Sequence, residues 1–204
     1  QECMYQIQDI SSMLAGEYTA PKAGDTIVDV CGAPGGKSIN AALKMSEQGD
    51  CGRVIARDLS DYKVALIDEN IKRLNITNIQ TQVYDALDCD ESLINKADIV
   101  IADLPCSGLG IIGRKPDIKY NASPEKLQSL VDLQRDILKV VSRYVKSGGV
   151  LMYSTCTINR AENEDNADWI CKESGFTKDG EYHQLLPANN SGMDGFFVAR
   201  LIKS

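Results

Sequence analysis

The sequence predicts a doubly wound α/β fold with a mostly parallel seven-stranded sheet whose last strands run antiparallel. Three observations carry this. Short apolar runs alternate with helix-period segments almost from end to end, as βαβ units require. Most of the runs are apolar throughout rather than at every second residue, the mark of strands buried on both faces. A glycine-rich turn, Gly32-Ala33-Pro34-Gly35-Gly36, joins the first run to the first helix after it.

The strands are expected at Thr26–Cys31, Arg53–Leu59, Ile79–Asp85, Ala97–Leu104 and Gly149–Ser154, with Ile79–Asp85 the most polar. Between them, helices are expected at Lys37–Glu47, Asp61–Leu74, Ser123–Val145 and Ala161–Ser174. Ser60 and Ser123 precede helical periodicity as N-caps, and Pro124 suits a first helical position because no N–H is needed there. The acidic start of the last helix complements the helix dipole. Phe176–Tyr182 and Gly195–Leu201 read as a closing antiparallel pair, and residues 105–122 as a long irregular loop, a common place for function.

With 204 residues, 43% hydrophobic and 25% charged, the chain fits a single domain with an ordinary core. Residues 1–24 form a lead-in before the first strand. No apolar run approaches the roughly 20 residues of a membrane span. Seven cysteines with no C-x-x-C pair, and His183 as sole histidine, argue against a disulfide framework or a zinc site and for a reducing cytoplasm. A net charge of −7 has the wrong sign for a freestanding nucleic-acid binder. Any basic surface must be local or lie on another segment.

The glycine turn is neither G-x-G-x-x-G nor a P-loop, because Cys31 stands where the P-loop needs glycine. It still lets the backbone approach a ligand at a helix N-terminus. Asp58 ends the second strand about twenty residues on, where a carboxylate takes ribose hydroxyls, and Asp85 ends the third. Together these fit an adenosine-containing cofactor, with NAD and S-adenosylmethionine both open.

The fourth strand ends Asp103-Leu104-Pro105-Cys106 and the fifth Ser154-Thr155-Cys156. In a doubly wound sheet these two strands are neighbours, so both cysteines are expected to converge on the ligand crevice. Thiols there suit the alkylation of a pyrimidine at carbon 5. A thiolate adding to carbon 6 makes carbon 5 nucleophilic, and an acid such as Asp103 supports the ring near N3. Hydride transfer has no such need.

Asp29–Ser38, Asp103–Gly110 and Ser154–Thr157 resemble three signature motifs of the Sun-type RNA cytosine-5 methyltransferases. So do the lead-in Gln8–Leu14, Arg114–Ile118 and Asp194–Phe197. The likeness spans nearly the whole chain and is strongest to the bacterial branch acting on small-subunit ribosomal RNA. It departs mildly at Gly32, where alanine is common, and Ser38, where threonine is common. The resemblance implies a Rossmann-like methyltransferase sheet that binds S-adenosyl-L-methionine through Cys31, Gly32, Ala33, Pro34, Gly35, Gly36, Lys37, Asp58, Asp85 and Asp103. It makes Cys156 the nucleophile, Cys106 the residue that assists product release, and Asp103 a contact to the cytosine. The implied partner is RNA, 16S rRNA foremost and tRNA as the alternative, with no membrane and no metal, for a monomer in the cytoplasm. A non-catalytic RNA-assembly factor on the same fold is the competing class. The family's rRNA enzymes carry an N-terminal RNA-binding region, and the acidic balance is expected to be offset there. Arg114, Lys115 and Lys119, beside Tyr120, are the local candidates for RNA contact.

Overall fold

The apolar runs assemble into one sheet in the computed structural model, which describes residues 10–49, 52–187 and 194–204. The strands are β1 (Thr26–Asp29), β2 (Arg53–Asp58), β3 (Ile79–Val83), β4 (Ala97–Asp103), β5 (Val145–Thr155), β6 (Phe176–Lys178), β7 (His183–Leu185) and β8 (Phe196–Lys203). Their order is β3-β2-β1-β4-β5-β8-β6, with β7 also paired to β8. The first five are parallel, and β8 runs antiparallel to β5, β6 and β7. Among the described residues the sheet therefore has eight strands, not seven. The expected strand Phe176–Tyr182 stops at Lys178, and the chain returns as β7 to pair with the opposite stretch of β8.

The helices are α1 (Ile10–Thr19), α2 (Gly36–Glu47), α3 (Asp61–Arg73), the single turn α4 (Ile118–Asn121), α5 (Pro124–Val141) and α6 (Glu164–Ser174). Ser60 and Ser123 cap α3 and α5, accepting from the Lys63 and Lys126 amides at 3.4 and 3.3 Å. Each cap is worth about 1 kcal/mol. Helix α5 ends four residues before the expected Val145, because Val145 pairs with Ala97 as the first residue of β5. Helix α6 begins at Glu164 rather than Ala161, leaving Glu162 outside the helix and Asn163 as its N-cap residue. Residues 1–9 of the lead-in, with Cys3 and Cys51, lie outside the described residues.

Strand alternation sorts the core into two layers. Val28, Val100, Ala102, Leu151 and Tyr153 face Ile137, Leu138 and Val141 of α5 and Ala167 and Ile170 of α6. Ile27, Ile99, Ile101, Val150 and Met152 face Ala15 of α1 and Ala41, Ala42 and Met45 of α2. Each fully buried Ile or Met contributes about 1.5–3 kcal/mol. Helices on both faces make the sheet doubly wound, and the strand order reverses between β1 and β4. Ligands bind outside the strand ends at such a switch point. Among the described residues, no helix is long and apolar enough to cross a membrane.

Candidate functional site

A cavity of ≈ 360 Å³ opens at the carboxyl ends of β1 to β5. That volume is within the usual range for small-molecule sites. Leu104, Leu133 and Ile137 form apolar wall, and Cys31, Ala33, Asp58, Asp85, Asp103, Cys106 and Cys156 supply polar groups. Seven of the expected site residues therefore meet in one crevice.

On the cofactor side, the chain leaves β1 and turns back at once, the Gly32 amide donating to the Arg57 carbonyl at 2.7 Å. Gly35 closes the turn at φ 103°, a conformation that side chains other than glycine's rarely adopt. A Cβ there would meet Ile67 Cγ2 at 3.2 Å. Asp58 is almost fully buried. Its Oδ2 accepts from the Ala33 amide at 3.0 Å, its Oδ1 from the Leu59 amide at 2.8 Å, and Lys63 Nζ approaches at 3.0 Å. These bonds fix its plane at the cavity wall. Asp85 is held by the Leu87 amide at 2.9 Å. Burial, and then the charges of Asp29 and Asp58, push the Cys31 thiol well above the usual range, which makes it a neutral wall residue.

Gly32, Pro34, Gly35, Gly36 and Lys37 shape the turn without lining the cavity. Lys37 instead bonds Asp103 Oδ2 at 2.5 Å and lies over the Phe196 ring, 5.5 Å from its centroid. Burial works against its ammonium, but the Asp103 charge and hydrogen bond outweigh that and hold the Lys37 pKa above its ordinary value.

On the reaction side, β4 and β5 are neighbours with Asp103 opposite Ser154. Ser154 Oγ donates to Asp103 Oδ1 at 2.8 Å, so both carboxylate oxygens of Asp103 are engaged. Three residues beyond Asp103 and two beyond Ser154, the sulfurs of Cys106 and Cys156 lie 3.1 Å apart. The hydrogen bond from Cys106 holds the Cys156 thiol below its ordinary pKa, with burial opposing. The same bond, reinforced by burial, pushes Cys106 up. The two thiols are therefore unequal, Cys156 the easier of the pair to ionise and Cys106 the harder.

The loop between β4 and α5 is anchored by a close backbone approach. Gly110 N donates to the Cys156 carbonyl at 3.1 Å, and Gly195 N to the Gly110 carbonyl at 2.7 Å. A Cβ on Gly110 would collide with the Gly195 carbonyl. Arg114, Lys115 and Lys119 are exposed on this loop and do not line the cavity. Arg114 pairs with Asp194 at 3.1 Å, and Lys119 lies over the Tyr120 ring.

Sequence reasoning missed a buried polar layer behind the cysteines, made by Gln134, Glu162, Asn163 and Asn166. The acidic start of the last helix reads as dipole complementation, yet Glu162 points into the protein. The available signal was Glu162-Asn163 coming just after the Cys156 turn.

Comparison with known proteins gives a consistent result. Residues 17–202 match the family model described as 16S rRNA methyltransferase RsmB/F. The chain is 38% identical to the probable ribosomal RNA small subunit methyltransferase B of Bacillus subtilis, over 97% of this chain and 47% of that protein. It is 33% identical to ribosomal RNA small subunit methyltransferase F of Escherichia coli O157:H7, over 98% of this chain and 45% of the relative. The chain thus spans about half the length of these relatives. The crystal structure of NSun6 from Pyrococcus horikoshii with SFG superposes with a TM-score of 0.86 at 28% identity, covering 99% of this chain and 54% of that one.

Proposed function

The chain belongs to the 16S rRNA methyltransferase RsmB/F family, and on that premise we propose that it methylates carbon 5 of a cytosine in 16S rRNA through a covalent cysteine adduct. The observation that carries the chemistry is the pair of sulfurs 3.1 Å apart beside Asp103, on the wall of the cavity that Asp58 and Asp85 also line. Lone cysteines would suit many roles. A lowered thiol beside a raised one, next to a carboxylate and an adenosine-type crevice, suits addition to a pyrimidine.

Ala33 of the glycine turn, Asp58 and Asp85 would hold S-adenosylmethionine, which supplies an electrophilic methyl group when bound. The Cys156 thiolate bonds carbon 6 of the ring and moves electron density toward carbon 5 and N3. Asp103 faces N3 and passes to it, as electron density arrives, a proton supplied by Lys37 through their hydrogen bond, taking it back when the product ring re-forms. While Cys156 is a free thiolate, Cys106 is bound to it as a donor and is a poor base. Once Cys156 becomes a thioether that hydrogen bond weakens, and with it the main cause of the raised Cys106 pKa. Cys106 then gives up its S–H proton to solvent and, as a thiolate, takes the carbon 5 proton, so that Cys156 leaves as thiolate and the carbon 5–carbon 6 double bond re-forms. Lys115 and Lys119, with Tyr120 at 81% exposure, supply local positive charge and a stacking face for RNA.

The test uses the full-length protein carrying Cys106→Ala, with S-adenosylmethionine and unmodified 16S rRNA. A protein–RNA adduct should survive a denaturing gel and vanish when Cys156 is also changed to alanine. A parallel arm with tRNA reads the substrate class. No adduct on either RNA, with cofactor binding intact, would overturn the covalent mechanism.

A further inference from the structure

Two consecutive residues, Glu162 and Asn163, are completely buried directly behind the cysteine pair. Neither belongs to the cavity wall. Glu162 reaches the Cys106 loop, where its Oε2 accepts from the Ser107 amide at 2.8 Å and from Gln134 Nε2 at 3.0 Å. The same Gln134 amide group donates to the Pro105 carbonyl at 2.9 Å. Both peptide neighbours of Cys106 are thereby tied to one carboxylate. Glu162 Oε1 accepts from Asn159 Nδ2 at 2.9 Å, and its backbone carbonyl accepts from the buried Tyr153 hydroxyl.

Asn163 reaches the other loop. Its Oδ1 accepts from Thr155 Oγ1 at 2.5 Å, and its Nδ2 donates to the Thr157 carbonyl at 3.0 Å. Those residues flank Cys156. A Ser107 Oγ–Thr157 Oγ1 bond of 2.7 Å joins the two loops. Among the described residues, Glu162 makes no ion pair, so its buried charge is compensated by these donors alone. Such a charge is costly unless hydrogen-bonded. A layer whose members satisfy one another is rigid, and removing one member disturbs the rest.

We propose that Glu162 and Asn163 act as a positioning clamp that sets the approach of Cys106 to Cys156, Glu162 through the Cys106 loop and Asn163 through the Cys156 loop. The consequence for product release rests on the cysteine roles proposed above. The spacing itself does not. Three donors face the Glu162 carboxylate, and a glutamine offers one acceptor oxygen and an amide that must face a donor. Glu162→Gln therefore breaks at least one of the three ties and removes the charge that strengthens those it keeps, so the hold on the Cys106 loop loosens.

The experiment compares wild type, Glu162→Gln, Asn163→Asp and Cys106→Ala in the full-length protein, after S-adenosylmethionine affinity has established that each is folded. The first readout is closure of a Cys106–Cys156 disulfide by an added aromatic disulfide, which is reduced to two thiols as the new S–S bond forms. Closure should be roughly tenfold to a hundredfold slower in both clamp variants, as misplacement by about 1 Å would give. The second readout is adduct on 16S rRNA, which should accumulate in Glu162→Gln toward the Cys106→Ala level while cofactor affinity is unchanged. In Asn163→Asp, adduct should form more slowly instead. If Glu162→Gln fails to fold, Glu162→Asp keeps the charge, shortens the reach and should move the same readouts less. Wild-type closure rates in folded Glu162 and Asn163 variants would overturn the clamp. Absence of adduct in Cys106→Ala would sink the cysteine roles instead, and the closure rates would still decide the clamp.

Discussion

The two ends of the crevice are built differently. At the cofactor end, the acids are held by backbone amides of adjacent residues and turns: Ala33 and Leu59 on Asp58, Leu87 on Asp85. At the reaction end, the cysteines are held by side chains that converge from far along the chain: Gln134 from α5, Glu162 and Asn163 from the turn before α6, and Asn166 from α6. A ligand's shape tolerates small shifts, so a strand-end scaffold suffices for the cofactor. Under the proposed mechanism two sulfurs exchange roles at one ring and would not tolerate them, which gives a purpose to the buried, mutually hydrogen-bonded layer that braces their loops.

Asp103 lies where the two ends meet, and the largest contrast is expected there. Asp103→Asn keeps the shape but removes the charge that Lys37 and Ser154 address. The turnover number should fall on the order of 10²-fold or more, as loss of a positioned acid–base group does. The S-adenosylmethionine dissociation constant should move much less. Steady-state kinetics beside equilibrium binding decide it. A variant that loses affinity and keeps its turnover number would assign Asp103 to the cofactor end.

Asp58→Ala should do the opposite. It removes a carboxylate bound to the turn amide of Ala33, whose loss costs about 1.5–3 kcal/mol for a charged hydrogen-bonding group. That is roughly tenfold to a hundredfold in affinity, with the turnover number at saturating cofactor nearly kept. Calorimetric titration reads it directly, and an unchanged dissociation constant would remove Asp58 from the cofactor site.

The same difference explains what the sequence made legible. Asp58, Asp103, Cys106 and Cys156 follow from strand ends, because an apolar run ending in a polar residue announces both the strand and the position of its tip. The neighbouring of β4 and β5 was expected from the topology of doubly wound sheets, and the Asp103–Ser154 register bears it out. The braces were not legible. Gln134 lies mid-helix in α5, and Glu162 sits in an acidic run that also suits a helix N-terminus, so nothing local tells a buried polar side chain from a solvated one. The eighth strand was missed for a similar reason. His183–Leu185 is three residues long, too short for a periodic signal, and exists because β8 offers it an edge. Lys37 was legible as part of the turn, but its bond to Asp103 joins residues 66 positions apart.

Asp29 gives the smallest effect and tests the contrast from beneath. It ends β1, is 1% exposed, and has one oxygen bonded to Ser38 Oγ at 2.6 Å and the other without a hydrogen-bond partner among the described residues. Unlike Glu162, it is incompletely compensated. Burial pushes its pKa up to about 6, the Ser38 bond opposing. An unfolded aspartate releases its proton near 3.9, so the folded state binds more protons between these values. Stability on this account falls as pH rises from about 4 to about 6 and stays reduced above that. Asp29→Asn keeps the shape and removes the charge. It should raise stability at pH 7 to 8 by about 1–3 kcal/mol, with the gain vanishing near pH 4, where the folded wild type is already neutral. Thermal melts of both proteins across that range measure it. Equal melting temperatures at every pH would mean that the carboxylate is compensated after all, and that the two ends of the crevice differ less in how they treat buried charge than their hydrogen bonds imply.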